Sequence, residues 1–215
     1  MFSRSINLVL VFLLGFLVPQ ITLGLDNPNK IEASYGQKKL ANSTISDILH
    51  HGRIDLDHMN ITGQTRVNGT LNAENSTFQD VTINGRGNIE NSTVTGNIRT
   101  NGMLNLTKVK VEGLVEVSGF VEIDSANIKG ELIVASDKIE IKNATLFRIR
   151  VRPTLAMLNK VDPSKEKQSV ILTNTKVLGN VIFENENGEI IQQKSSILGS
   201  IVGVKEQNKN DSTTK

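Results

Sequence analysis

Cysteine and tryptophan are absent from this chain of 215 residues, which also has only four prolines and one tyrosine. Without cysteine the chain forms no disulfide, no thiolate metal site and no lipid-modified cysteine anchor. Proline does not occur between Lys30 and Val151, as expected where nearly every backbone N–H takes part in a β-ladder. The formal net charge is only +2. So small a charge gives no argument for nucleic acid or an anionic membrane as a partner.

The N-terminal segment has the composition of a secretory signal. Arg4 is its lone basic residue, the apolar run Leu8–Val18 follows, and the small residue Gly24 lies where a signal peptidase would cleave. The run is short for a membrane span, which needs about 20 apolar residues. We therefore expect residues 1–24 to be cleaved and the protein to be exported, to a bacterial periplasm or cell envelope because it has no disulfides. The alternative is an uncleaved membrane anchor at residues 6–25.

The rest of the chain contains a repeat. The segment Glu74-Asn75-Ser76-Thr77 recurs as Glu90-Asn91-Ser92-Thr93, and such internal repeats are the signature of stacked architectures. An apolar residue returns every 16 to 18 residues through seven copies, and two further copies follow. We expect these nine side chains to form a core stack, and they are Ile45, Ile61, Phe78, Val94, Val111, Ile128, Leu146, Val177 and Ile197.

The neighbours of these apolar positions alternate as in a strand with one buried face. The residue before is polar in all nine copies, and the residue two before is small or apolar in nearly all. This alternation has the period of a strand rather than the 3.6-residue period of a helix. Glycine lies two residues after the apolar position in six copies, where we expect a corner with left-handed backbone. These corner glycines are Gly63, Gly96, Gly113, Gly130, Gly179 and Gly199.

The repeat predicts an all-β fold, a right-handed parallel β-helix of about nine coils with a period near 17 residues. A left-handed hexapeptide helix is the competing architecture, but its six-residue rhythm persists here for only about one coil. The expected organisation is a linker or cap at residues 25–40, the β-helix at 41–204 and a disordered polar tail at 205–215. An insertion with two prolines interrupts the β-helix around residues 152–169.

No constellation of residues indicates catalysis, and we predict no catalytic residue, no cofactor and no metal site. His50, His51 and His58 fall within one coil, and we expect their side chains to be exposed.

Arg148, Arg150 and Arg152 alternate along one strand. They predict either a basic docking patch or, preferably, a solvated strand edge beside a surface loop.

Eight Asn-x-Ser/Thr sequons occur, at Asn42, Asn60, Asn68, Asn75, Asn91, Asn105, Asn143 and Asn210. In a eukaryotic secretory protein they would be glycosylation sites. Four of them, with Asn174, share one repeat position three residues before the core apolar residue. That placement favours a ladder of stacked side-chain amides at a corner over glycans.

Residues 101–117 and 118–132 resemble bactofilins, the polymer-forming cytoskeletal proteins of bacteria. They share a valine-rich strand, a small residue and an apolar-x-Gly-x-apolar corner, as in Ala126 to Leu132. The resemblance covers residues 41–150 and returns at 174–183. It implies a right-handed β-helix that polymerises end to end without nucleotide and acts as a scaffold in organising the cell envelope. The apolar N-terminal run and the insertion after Leu146 depart from the family pattern.

The expected function is therefore a non-enzymatic structural or scaffold protein of the bacterial cell envelope. Its expected partner is itself, in end-to-end or side-by-side assembly, with envelope components as further candidates. We expect no nucleic acid partner, and contact with a membrane only through an uncleaved N-terminal segment. The alternative function is an exported surface-binding or adhesin-like β-helix module.

Overall fold

The computed structural model describes residues 33–162 and 165–208. It is a parallel β-solenoid of about ten turns with a period of about 17 residues and almost no helix, which confirms the predicted parallel β-helix. The right-handed sense remains a prediction. The elements are β1 Ala33–Ala41, β2 Thr44–Ile45, β3 Ile48–Asp57, β4 Asn60–Glu74, β5 Thr77–Glu90, β6 Thr93–Val94, β7 Ile98–Thr107, β8 Lys110–Val111, β9 Val115–Asp124, β10 Asn127–Ala135, β11 Lys138–Lys142, β12 Thr145–Arg152, α1 Leu155–Leu158, β13 Gln168–Thr173, β14 Lys176–Val177, β15 Val181–Phe183, β16 Gly188–Gln193, β17 Ser196–Ile197, β18 Ile201–Val202 and β19 Val204–Asn208.

Each coil consists of a short strand, a bend, a long strand and a second bend. Strand β7 pairs in parallel with β5 on one side and with β9 on the other, with Ile98 opposite Val81 and Val115. Like residues therefore lie in columns along the solenoid, roughly 4.8 Å apart. A residue type that recurs at one outward repeat position therefore forms a continuous column on the surface.

The core stack runs through the interior as one column. Seven of its nine members are at most 1% exposed, whereas Ile45 and Ile197 are half-buried against the rest of the core. Ile45 and Ile197 lie in coils near the two ends of the described solenoid, where fewer neighbours cover them. Burial of this column against similar columns from the long strands is what holds the coils together, because no coil can bury its inner face alone.

The left-handed backbone does not lie at the corner glycines, so that prediction was wrong. It lies three residues before each core apolar residue, with φ between 47° and 57°, at Asn42, His58, Asn75, Asn91, Lys108, Ser125, Asn143, Asn174 and Lys194. The six corner glycines lack positive φ. Glycine is required there because a Cβ would overlap the preceding coil, for example the backbone of Gly113 in the case of Gly130.

A second glycine column, missed in the sequence, bends the long strands. Gly36, Gly52, Gly69, Gly85, Gly102 and Gly119 occupy one position in six consecutive coils, with φ between 84° and 142°. In all but the first, a Cβ would overlap the carbonyl oxygen of the glycine one coil earlier. Both the positive φ and the close approach of the coils exclude other residues.

Hydrogen bonds of buried hydroxyl groups connect the left-handed bends of successive coils. The Oγ of Ser92 accepts a hydrogen bond from the backbone N–H of Ser76 at 3.0 Å and donates to the carbonyl of Glu90 at 2.6 Å. Ser76 makes the same pair of bonds one coil earlier, to Met59 and Glu74. These contacts explain why a small polar residue recurs two positions before the core residue, since an unpaired buried N–H would destabilise the fold.

Both ends of the solenoid extend beyond the predicted boundaries. Strand β1 covers residues placed in the predicted linker or cap 25–40, and pairs with β3 from Ala33 to Ala41. Its alternation is weak because Lys38 stands opposite buried Ile54, at an inward position of an edge coil. Strand β19 likewise reaches Asn208, inside the predicted tail. The predicted signal at residues 1–24 lies outside the described residues, as does the remainder of the tail.

Candidate interaction surfaces

One side of the solenoid carries a ladder of side-chain amides. Asn105 Nδ2 donates to Asn88 Oδ1 at 3.0 Å, and Asn88 Nδ2 donates to Asn72 Oδ1 at 2.8 Å. The ladder ends on a carboxylate, because Asn72 Nδ2 donates to Asp55 Oδ1 at 2.6 Å. Each residue belongs to the second half of a long strand, and the parallel register places them one above the other. These four residues form the amide ladder.

An open groove of about 590 Å³ lies along the amide ladder. Its rim carries the carboxylates of Asp57, Glu74 and Glu90 and the cations of Lys39 and Arg53. The groove therefore offers many hydrogen-bond acceptors and donors at a regular spacing, suited to an extended polar ligand. Among the described residues there is no group of three or more His, Cys, Asp or Glu side chains that could hold a metal ion.

Two groove carboxylates are held in their ionised form. The hydrogen bond from Asn72 lowers the pKa of Asp55 below its ordinary value of 3.8, and Arg53 adds to the effect. The hydrogen bond from Asn75 likewise lowers the pKa of Asp57. Both carboxylates therefore stay ionised to a lower pH than usual, and Arg53 and Lys39 lie beside them at the same end of the groove.

The asparagine column at the left-handed bends is only partly a ladder. Asn174 Nδ2 donates to Asn143 Oδ1 at 2.9 Å, and Asn143 Nδ2 donates to Asp124 Oδ1 at 2.9 Å. Asn75 and Asn91 lie in neighbouring coils, yet no hydrogen bond joins their side chains in the described part of the chain. Asparagine recurs at this position because it tolerates left-handed backbone, and ladder formation is a secondary benefit.

The three arginines of the predicted patch are paired with glutamates from other coils. Arg150 Nε lies 3.1 Å from Glu131 Oε1, and this contact raises the pKa of Arg150 above its ordinary value. Arg152 donates to Glu116 Oε1 at 2.9 Å, and Arg148 lies 4.0 Å from Glu131. The arrangement is a network of ion pairs on a strand face rather than a cluster of free positive charge.

The histidines separate into different environments, contrary to the expectation that all are exposed. His50 is fully buried, because it occupies an inward position of β3. Its Nδ1 lies 2.8 Å from Ser34 Oγ and its Nε2 lies 3.0 Å from the carbonyl of Arg53, so both ring nitrogens have partners. His51 stacks on Tyr35 and His58 is exposed. The alternation of β3 was the signal that could have placed His50 inside.

The insertion joins β12 to β13 and begins with the single-turn helix α1. Gln168, fully buried at its end, donates from Nε2 to the carbonyl oxygens of Ser136 and Arg152, both at 2.8 Å. These bonds fix the base of the insertion to the solenoid. Further out, Leu155 and Val161 are exposed, Leu155 to 80%. The insertion therefore exposes apolar side chains next to ion pairs such as that of Lys160 with Glu166.

An apolar stripe lies on the short-strand side of the last coils. Phe147, Leu178 and Leu198 directly follow three core residues that stand in register, so they form one column. Their exposures are 44%, 45% and 63%. The guanidinium of Arg148 lies 5.5 Å from the centre of the Phe147 ring. We call these three side chains the apolar column, and exposed contiguous apolar surface of this kind is typical of interaction sites.

No protein-family model, no curated protein and no solved structure matches the chain. Within the described ranges 33–162 and 165–208, no helix is long and apolar enough to cross a membrane.

Proposed function

We propose that the protein is an exported, non-enzymatic scaffold rod of a cell envelope that associates with further copies of itself. The observation that carries the proposal is the apolar column, which leaves three large side chains in contact with water in consecutive coils. Covering these side chains would remove apolar area from water, and that is the main driving force of association. The resemblance of residues 101–132 to bactofilins agrees with a scaffold.

The pairing at the ends of the rod supports the same proposal. Among the described strands, β1 and β2 pair on one side only, and so do β17, β18 and β19. Strands with an unpaired side are templates for further strand pairing unless they are covered. The apolar column reaches the coil of β17, so lateral and end contacts to a second copy could form one continuous surface.

Sedimentation velocity and electron microscopy of the exported chain over a range of concentrations test this function. We expect concentration-dependent association that Leu178→Glu combined with Leu198→Glu reduces at least tenfold, because the charges would be buried. Gln79→Glu is the matched control, since Gln79 is an exposed residue of the same column far from Leu198. Monodisperse short rods of the unaltered chain at every concentration would refute the proposal.

A second candidate function is an exported surface-binding module that uses the groove along the amide ladder. The regular spacing of its amides favours an extended polar chain as ligand. Binding to immobilised polysaccharides or polar peptides should then be lost in Asn88→Leu and kept in Asn84→Leu. Asn84 is an exposed asparagine of the same strand outside the groove. Equal binding by the two variants would exclude the groove.

A further inference from the structure

The sequons are distributed unevenly over the solenoid. All seven within the described residues have threonine at the third position, and their asparagines lie between Asn42 and Asn143. From Thr145 to Asn208 the described chain has no sequon, although it contains six asparagines. Asparagine content alone therefore does not account for the distribution.

Three of these asparagines have amides that are open to reaction. Asn42, Asn60 and Asn91 are exposed, and their side chains have no hydrogen-bond partner among the described residues. Asn42 and Asn91 lie at left-handed bends, while Asn60 begins β4 on the short-strand side. A large substituent on Nδ2 could extend from these positions into solvent without displacing any contact of the fold.

Asn105 has the opposite environment. It is half-buried in the amide ladder, where its Nδ2 donates to Asn88 and its Oδ1 is enclosed. A glycan on this nitrogen would have to fit inside the ladder. The structure thus separates sequons that tolerate a glycan from one that does not.

We propose that Asn42, Asn60 and Asn91 carry N-linked glycans and that Asn105 does not. The inference rests on the export contained in the proposed function, because the glycan donor, a lipid-diphosphate-linked oligosaccharide, is used on the far side of the membrane. In the transfer, Asn Nδ2 bonds to C1 of the first sugar and releases one proton to the solvent. The bond from C1 to the diphosphate oxygen breaks, and the lipid diphosphate leaves.

Glycans at these positions would decide which surfaces remain available for contact. They would surround coils that lie before Thr145, and the apolar column at Phe147, Leu178 and Leu198 would stay bare. Self-association would then be directed to the last coils. This consequence deepens the proposed scaffold function by restricting which part of each rod can meet another copy.

The test measures site occupancy by mass spectrometry after release of glycans in ¹⁸O-labelled water, which marks each formerly glycosylated asparagine as aspartate. The chain is secreted from a host that has an oligosaccharyltransferase. We expect occupancy above half at Asn42, Asn60 and Asn91 and at least tenfold lower occupancy at Asn105. No glycan at any of the three sites would overturn the inference, and so would occupancy at Asn105 equal to theirs.

Threonine variants provide matched controls that leave the asparagines in place. Thr93→Val removes the Asn91 sequon with little change in shape, and should reduce the mass of the secreted protein by one glycan. Thr93→Ser preserves the sequon and should retain that mass. Loss of the glycan in both variants, or in neither, would contradict assignment to Asn91.

Two export routes separate this inference from the proposed function. In one arm the chain uses its own residues 1–24, and in the other a foreign signal peptide replaces them. Glycosylation in the second arm with retention in the cytoplasm in the first would support the glycan sites and refute export by the native segment. Secretion in both arms without glycans would refute the sites alone.

Discussion

The coils before and after Thr145 share one core but differ in surface and bends. We call residues 33–144 the N-terminal coils and 145–208 the C-terminal coils. In the N-terminal coils one glycine column bends six consecutive long strands. In the C-terminal coils the corresponding bends are made by the insertion after Arg152, by a turn at Glu186, where φ is 56°, and by Gly203, where φ is 77°. The same core is therefore compatible with two different ways of bending the long strands.

The N-terminal and the C-terminal coils also differ in the side chains that they expose. Among the described residues the N-terminal coils carry all the sequons and the amide ladder, and expose only two large hydrophobic side chains, Tyr35 and Phe120. The C-terminal coils expose seven, namely Phe147, Leu155, Leu158, Val161, Leu178, Leu198 and Val202. The core column fixes the stacking, so each outward column is free to acquire its own chemistry.

The largest effect is expected from the glycine column. Gly85→Ala places a Cβ against the carbonyl of Gly69 in a left-handed conformation, and should lower the free energy of unfolding by about 4 kcal/mol or more. Gly36→Ala is the matched control, because no atom lies within 4 Å of its Cβ position, and should cost about 1 kcal/mol. Urea denaturation followed by circular dichroism measures both. Equal losses would mean that contact with the preceding coil is unimportant.

A smaller effect is expected from truncating the core column. Ile128→Ala, in a coil covered on both sides, should lower the free energy of unfolding by about 3 kcal/mol. Ile197→Ala removes the same atoms from a half-buried position in the last coil, and should cost about 1 kcal/mol. The same denaturation experiment compares them. If Ile197→Ala costs as much as Ile128→Ala, the last coil is covered by another chain or segment.

The hydroxyl contacts at the left-handed bends give the next effect. Ser92→Ala leaves the buried N–H of Ser76 without its acceptor, and should cost about 2 kcal/mol. Ala126 occupies the same repeat position two coils later and is buried, so Ala126→Ser is the reverse change and should alter stability by less than about 1 kcal/mol. Comparable losses for both variants would show that size, not hydrogen bonding, sets this position.

The smallest loss of stability is expected on lowering the pH, and it should occur in the N-terminal coils. The pKa of Asp55 and that of Asp124 lie below 3.8 in the folded chain, chiefly through hydrogen bonds from Asn72 and Asn143. A lowered folded pKa contributes stability above pH 3.8, and that contribution is lost as the pH falls through the folded value. Hydrogen exchange at pH 6 and pH 3 should therefore show protection lost in the coils of Asp55 and Asp124 before the coils of Val177. Loss in the reverse order would contradict the assignment.

The column period was predictable because burial imposes it on every coil. Ile61, Phe78 and Val94 are apolar at one spacing because each must cover the next, and this pattern is legible without coordinates. The sequence did not show why particular residue types recur at the other repeat positions. A glycine at Gly130 and one at Gly119 look alike in sequence, yet only Gly119 has positive φ. Spacing identifies equivalent residues, whereas the backbone angle depends on how the coil closes.

The candidate surfaces were less predictable, since they arise between coils. The amide ladder joins Asn72, Asn88 and Asn105, which lie 16 and 17 residues apart, and the sequence drew attention instead to the bend asparagines. The apolar column was obscured because Phe147 and Leu178 are separated by the insertion. Its register becomes visible only when β12 and β14 are paired.

The backbone pairing has a consequence for how such a chain can change in length. Each described coil pairs only with the coils next to it. Duplicating or deleting one whole repeat would therefore leave every bend intact and alter the rod by roughly 4.8 Å. Gain or loss of whole repeats in the gene would therefore change the length of the solenoid in steps of equal size.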